Sequence, residues 1–285
     1  MKPAWLRRSF SRHGQWSQAK ALVEELQLHT VCQEARCPNL GECWAFGNVS
    51  FMILGAACTR RCHFCAVTTA RPGEVDWGEP QRLAEAVVRL GLKYVVITSV
   101  ARDDLADEGS GLFAACIRAV KERAPGVKVE ALTPDFHARR DLIESVIAAE
   151  PEVYNHNLET VRRLNRQVRP QADYDRSLAV LRLVKESGRM NLRTKSGLMV
   201  GLGEDPQEVR QAMVDLREVG CDLLTVGQYL QPTPSAWPVA DFVTPESFSL
   251  YRSWGEELGF SFVASGPYVR SSYNAWEALK GALHA

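Results

Sequence analysis

Phe51-Met52-Ile53-Leu54-Gly55-Ala56-Ala57-Cys58-Thr59-Arg60-Arg61-Cys62-His63-Phe64-Cys65 is the stretch that decides the fold. Its first four residues are apolar and stop at a glycine, which reads as a short buried strand. The strand runs straight into a polar loop that carries three cysteines. Working outward, apolar or β-branched runs recur at 94–98, 127–131, 153–157, 191–200 and 222–226. Amphipathic stretches lie between them at 81–90, 112–123, 139–149, 174–186 and 206–219. Leu178, Leu181 and Val184 repeat every three or four residues, as do Val209, Met213 and Leu216, which is what one helix face requires. Asp173 and Asp205 stand near helix starts, Gly188 and Gly220 just past helix ends. Six strand–helix units in succession predict an α/β fold, a partial (β/α)6 TIM-like barrel over residues 51–226. Residues 1–50 and 227–285 then read as extensions, because two further barrel units are not legible there. A loop that follows a barrel strand opens at the C-terminal face, where active sites of this architecture sit.

The remaining composition narrows the function classes. Of 285 residues, 46% are apolar and 24% charged, and 34 basic residues balance 34 acidic ones. Such a chain buries a core without disulfide staples. A net charge of zero argues against broad, sequence-independent binding to nucleic acid. No apolar run approaches the ~18 residues of a membrane span, so no membrane association is expected. Lys2, Arg7, Arg8, Arg12 and Lys20 stand without an acidic residue near the N-terminus, a faint likeness to an organelle transit peptide. The cysteine cluster begins soon after, and a mature cytoplasmic chain is the expectation.

Cysteine usage is the anomaly. Six of the eight cysteines (Cys32, Cys37, Cys43, Cys58, Cys62 and Cys65) fall between residues 32 and 65, where even scatter would place about one. A chain of this size without a signal peptide is not expected to spend them on disulfides, and thiolates that hold metal fit better. Cys58, Cys62 and Cys65 form C-x-x-x-C-x-x-C. Spacings of four and three could put them on one helix face, but Thr59, Arg60, Arg61 and His63 between them are too polar for core. Structural zinc wants four closed ligands and would need His63. Three thiolates suit a cubane iron–sulfur cluster with one iron open. Cys32, Cys37 and Cys43 are spaced by five and six, which fits no helix face, and Pro38, Asn39 and Gly41 mark a loop. A second cluster on these three would lack one ligand. Cys116 and Cys221 lie in apolar surroundings and read as core.

The ending Cys62-His63-Phe64-Cys65 after a first strand resembles the radical S-adenosylmethionine superfamily, whose motif closes in C-x-aromatic-C. Over nearly the whole chain the sequence resembles the lipoyl synthase family. The similar segments are Lys2-Pro3-Ala4-Trp5-Leu6-Arg7, Thr98-Ser99-Val100-Ala101-Arg102-Asp103-Asp104-Leu105, Tyr154-Asn155-His156-Asn157-Leu158-Glu159-Thr160, 195–204 and Arg270-Ser271-Ser272-Tyr273. The resemblance implies two [4Fe-4S] clusters and S-adenosylmethionine. One cluster, on Cys58, Cys62 and Cys65, cleaves the cofactor to a hydrogen-abstracting radical. The other, on Cys32, Cys37 and Cys43 in the terminal extensions, is a sacrificial sulfur source whose fourth ligand is Ser272, with Ser271 as the alternative. Sulfur then enters at C6 and C8 of an octanoyl chain on a carrier-protein lysine. Phe64, Asn157, Arg193 and Lys195 are the expected cofactor contacts. Expected partners are an octanoylated lipoyl carrier, an electron donor such as ferredoxin or flavodoxin, and an iron–sulfur carrier that rebuilds the spent cluster. The enzyme is expected to act as a monomer. The basic N-terminal run, interleaved with Trp5, Phe10 and Trp16, could dock an acidic carrier or cap the barrel. Competing readings are a zinc-binding module fused to a barrel and an electron carrier with two clusters. Within the superfamily the nearest chemical rivals are biotin synthase and the methylthiotransferases.

Overall fold

The computed structural model describes residues 3–6, 15–45, 47–273, 275, 276 and 279. Lys2, Arg7, Arg8, Phe10 and Arg12 of the basic run lie outside them. The chain forms two compact units, one of Phe10–Arg60 with Ala66–Tyr154, the other of Met1–Ser9, Arg61–Cys65 and Asn155–Ala285. The boundaries pass through the cysteine loop and through the chain near residue 154.

In the first unit, α1 (Gln15–Glu25), α2 (Val31–Glu34) and α3 (Leu40–Ala45) precede β1 (Ser50–Ile53). Then α4 (Glu79–Arg89), β2 (Tyr94–Ser99), α5 (Ser110–Arg123), β3 (Lys128–Leu132), α6 (Arg140–Ile147) and β4 (Val153–Asn155) follow. β1 runs parallel to β2 with Ser50 opposite Val96, and β2 parallel to β3 with Tyr94 opposite Lys128. His29–Thr30 pairs antiparallel on the outer side of β1. Parallel strands covered on both faces must be apolar on both, so the runs read as continuous rather than alternating. Ile53, Val95, Ile97, Val129 and Ala131 are fully buried accordingly. Helix α4 starts with Pro80 in its first turn, where the missing N–H costs nothing, and buries Leu83, Ala84 and Val87.

The second unit contains α7 (Arg162–Val168), α8 (Tyr174–Glu186), β5 (Arg193–Val200), α9 (Pro206–Glu218), β6 (Leu223–Gln228), α10 (Pro245–Glu257) and β7 (Phe262–Gly266). Both predicted aspartate caps form. Asp173 accepts the N–H of Arg176, and Asp205 closes a capping box with Glu208. Leu178, Leu181, Val209, Met213 and Leu216 turn inward to one core with Leu224, Val226 and Tyr229. β5 pairs parallel with β6, and β6 with β7. The six predicted strand–helix repeats are all present. The region expected as a C-terminal extension adds one more, because α10 returns the chain to lay β7 parallel to β6.

Candidate cluster-binding loop

The first half of the cysteine loop belongs to the first unit. Ala57–Cys58 forms a two-residue ladder with Thr68–Thr69. The Cys58 Sγ accepts the backbone N–H of Arg60 at 3.4 Å and that of Ala101 at 3.3 Å. Two backbone N–H groups, one from within the loop and one from 43 positions along the chain, are thus aimed at one sulfur. Thr59 donates its N–H to the Ala101 carbonyl, and its single hydroxyl hydrogen is shared between that carbonyl at 3.0 Å and the Asp103 carboxylate at 2.9 Å. The Arg60 guanidinium is 7% exposed and forks onto Asp103 through Nε and Nη2, while Nη2 also reaches Asp135 at 2.8 Å. Burial opposes the Arg60 charge, but the two carboxylates overcome it and hold it fully protonated. Burial likewise pushes Asp103 up, and Arg60 outweighs it, holding the carboxyl below its usual range.

Among the described residues, Asp103, Glu108 and His137 offer ligand atoms within 4.8 Å of one another. Both oxygens of Asp103 are committed to Arg60 and Thr59, and a cation there would face the guanidinium. His137 Nδ1 lies 2.9 Å from Glu108, so this trio extends the ion network rather than forming a metal site.

Cys32, Cys37 and Cys43 sit on a compact turn of the same unit. Cys32 is buried on α2, whose start Thr30 caps by accepting the Gln33 N–H. Arg36 takes a left-handed φ of 52°, the Cys37 N–H returns to the Cys32 carbonyl, and the Cys43 N–H bonds the Asn39 carbonyl at 2.8 Å to open α3. The predicted loop is therefore two short helices joined by a tight reversal. Burial, then the nearby Cys37, raises the Cys32 thiol. These three sulfurs do not converge within the 4.8 Å that a shared single ion would need. Cys116 and Cys221 are fully buried in apolar surroundings, and burial followed by Asp222 pushes Cys221 up to about 12. Neither offers a fourth thiolate, and the donor set of three per site fits [4Fe-4S] groups completed by another atom.

The second half of the loop belongs to the second unit. The Arg61 N–H is held by Gln171 Oε1 at 2.6 Å, and the His63 N–H by the Val168 carbonyl at 2.8 Å. His63 Nδ1 contacts the Gln167 carbonyl, its own carbonyl accepts the Trp237 N–H, and the two rings stack 6° from parallel. The Cys65 N–H turns back on the Cys62 carbonyl, and Phe64 packs against the core. Ser271 and Ser272 ride on a turn closed by the Tyr273 N–H on the Arg270 carbonyl. The Ser271 hydroxyl is tied between Asn155 Nδ2 at 2.8 Å and Asn157 Oδ1 at 2.9 Å. Asn157 spends its own amide N–H on Glu159. Lys195 is 1% exposed within β5, whereas Arg193 opens that strand and so lies at its N-terminal end. Sequence reasoning did not find Asp135, Gln171 or Trp237. Asp103 and Asn155 lie inside the quoted segments, but without a role of their own.

A family model described as the radical SAM superfamily matches residues 52–216. A lipoyl synthase from Thermus thermophilus is 57% identical over 276 residues, which cover 96% of this chain and 85% of that one. One from Rubrobacter xylanophilus is 53% identical over 100% of this chain and 89% of its own. Among solved structures, methylornithine synthase superposes with a TM-score of 0.59 at 15% identity, covering 92% of this chain and 85% of that chain. The hydrogenase maturase HydG gives 0.58 at 14% identity, covering 93% and 71%. At those identities the likeness is one of fold alone.

Proposed function

The chain belongs to the lipoyl synthase family of the radical S-adenosylmethionine superfamily, and we propose the following division of labour among its residues in radical sulfur insertion. Cys58, Cys62 and Cys65 hold one [4Fe-4S] cluster, and Cys32, Cys37, Cys43 and Ser272 hold the other. When bound, the first group supplies the electron that cleaves S-adenosylmethionine, and the second supplies the two sulfurs that enter C6 and C8 of a protein-bound octanoyl chain. The observation that carries the reading is the pairing of two separate three-thiol sets with no further accessible cysteine.

Backbone N–H groups at Arg60 and Ala101 fix the position of the Cys58 sulfur for iron. Gln171 and Val168 fix the chain around Cys62, so the loop need not be ordered when the cofactor arrives. Phe64 presents its backbone to the adenine, and Asn157 and Lys195 offer polar groups to the rest of the cofactor, whereas Arg193, at the N-terminal end of β5, is not at the C-terminal face and drops out of the set. Ser271 is already engaged by two asparagines, whereas among the described residues Ser272 makes no hydrogen bond, which leaves its oxygen to iron. A hard oxygen leaves soft iron more readily than a thiolate, which suits a centre that must be dismantled. The substrate is an octanoylated carrier protein. Reducing equivalents come from a ferredoxin or flavodoxin, and an iron–sulfur carrier restores the spent centre. No helix among the described residues is long and apolar enough to cross a membrane, and we assign the enzyme to the cytoplasm as a monomer.

The test is anaerobic incubation of the iron-loaded protein with an octanoyl-lysyl carrier peptide, reductant and S-adenosylmethionine, followed by mass spectrometry. Two added sulfurs are expected, and no sulfur-containing product from fully loaded enzyme would refute the assignment. Cys32→Ala should cleave the cofactor without inserting sulfur, and Cys58→Ala should do neither.

A further inference from the structure

We propose that Arg60, clamped by Asp103 and Asp135, is a positioning residue that tunes the reduction potential of the Cys58 cluster by holding two backbone N–H groups on its sulfur. The inference rests on Cys58 being a cluster ligand, as argued above.

The geometry is more elaborate than loop anchoring needs. Residues 58–60 are bonded to 101–103 at every step. The Thr59 N–H and hydroxyl both donate to the Ala101 carbonyl, at 3.1 and 3.0 Å. The Asp103 N–H returns to the Thr59 hydroxyl at 3.2 Å. Arg60 Nε spans both Asp103 oxygens at 3.0 and 2.8 Å, and Nη2 bridges Asp103 and Asp135 at 2.6 and 2.8 Å. Asp135 is fully buried, just past the end of β3, and Asp103 stands just past β2. Two successive strand ends thus converge on one guanidinium, whose backbone N–H is one of the two on Cys58 Sγ. The other belongs to Ala101, the residue that Thr59 grips. A fork of this kind is a specifically arginine geometry, since an ammonium cannot span a carboxylate and reach a second one in the same plane.

Hydrogen bonds to cluster sulfur withdraw charge from it and make the reduced state easier to reach. Nearby carboxylates act the other way, because a negative charge disfavours an added electron. The network therefore exerts two influences of opposite sign, and their separation is the test. If Asp103 acts only as a charge, Asp103→Ala raises the midpoint potential. If it acts by holding Arg60 and Thr59 in place, the N–H groups leave Cys58 and the midpoint falls.

The experiment is an EPR-monitored redox titration of the iron-loaded holoenzyme, following the signal that changes when S-adenosylmethionine is added. We expect Asp103→Ala to shift that midpoint downward and to slow cofactor cleavage by a donor of fixed potential. Arg60→Lys keeps the charge and loses the fork, and a downward shift is expected there too. A rise with Asp103→Ala, or an unshifted midpoint in folded Arg60→Lys, would overturn the proposal. Should Asp103→Ala fail to fold, Arg60→Lys decides alone. A wild-type protein that binds fewer than about eight irons, or shows no signal responsive to the cofactor, would instead sink the cluster assignment itself.

Discussion

Replacing Gly227 by alanine should uncouple radical generation from sulfur insertion. Gly227 lies in β6, between Met199 of β5 and Gly266 of β7 in the register. A Cβ there would come 2.0 Å from the Val269 carbonyl oxygen and 3.0 Å from its carbon. Ordinary contact begins near 3.4 Å, so the Val269 peptide must retreat by about 1.4 Å. Strand β6 is bonded on both sides and cannot yield, and the chain over it must. That chain is the lead-in to Arg270, Ser271 and Ser272, held by the Val269 N–H on the Gly266 carbonyl. A misplacement of ~1 Å at reacting groups costs on the order of 10²-fold in rate, and overpacking costs about 1–3 kcal/mol of stability. The expected variant folds, loads the Cys58 cluster and forms 5′-deoxyadenosine near the wild-type rate, while its lipoyl product drops about 10²-fold. Mass spectrometry of product against chromatography of 5′-deoxyadenosine measures the ratio. Gly255→Ala is the control. The three atoms nearest its Cβ all belong to the Val263 side chain, the first at 2.8 Å, so it should lower stability without touching the ratio. A wild-type ratio in Gly227→Ala would refute the reasoning, since it would mean that Ser272 does not need its position.

Ser272→Ala should still cleave S-adenosylmethionine but lose sulfur insertion, whereas Ser271→Ala should keep insertion and lose stability of about 1 kcal/mol for its two neutral hydrogen bonds; equal insertion defects in both would reassign the ligand. Asp205→Ala removes the N-cap of α9 and should cost about 1 kcal/mol in denaturant unfolding. The Glu208 carboxyl is held below its usual range by Arg163 and then by the Asp205 N–H, so its contribution is present above pH 4.5 and is lost as the pH falls through the lowered value. Glu208→Gln should therefore flatten the acid limb of the stability–pH curve, and an unchanged limb would count against that pair. Chelating iron should speed amide exchange across residues 31–45, where three thiols staple two short helices, and leave β2 and β3 protected. Unaltered exchange at 31–45 would argue against a cluster on Cys32, Cys37 and Cys43.

The barrel strands were legible because burial on both faces forces unbroken apolar runs. Strand β7 was not, for the same reason inverted. Of Phe262–Gly266 only Val263 is buried, and Ser265 and Gly266 break the run. Its helix α10 buries Phe248, Tyr251 and Gly255, a sparse stripe that a glycine interrupts. Both elements exist because tertiary pairing overrides weak local preference. A region read as an extension thereby supplies the strand that flanks Gly227.

The cysteines could be read because ligand spacing is a local property, and spacing survives in the sequence whatever the rest of the chain does. The residues that hold the loop could not. Arg60 meets Asp135 75 positions away, and Arg61 meets Gln171 110 positions away, and no periodicity records such pairs. Yet the letters between the cysteines are not filler. The Thr59 hydroxyl and the Arg60 guanidinium bond toward residues 101–135, while Arg61 and His63 bond toward 167–171 and 237. The polarity that rules out a core helix for this loop is thus the same polarity that anchors it. Swapping Arg60 and Arg61 for two lysines would keep the charge, the spacing and every cysteine. It should nevertheless cost more at position 60, where a side-chain fork is used, than at position 61, where the recorded bond is made by the backbone.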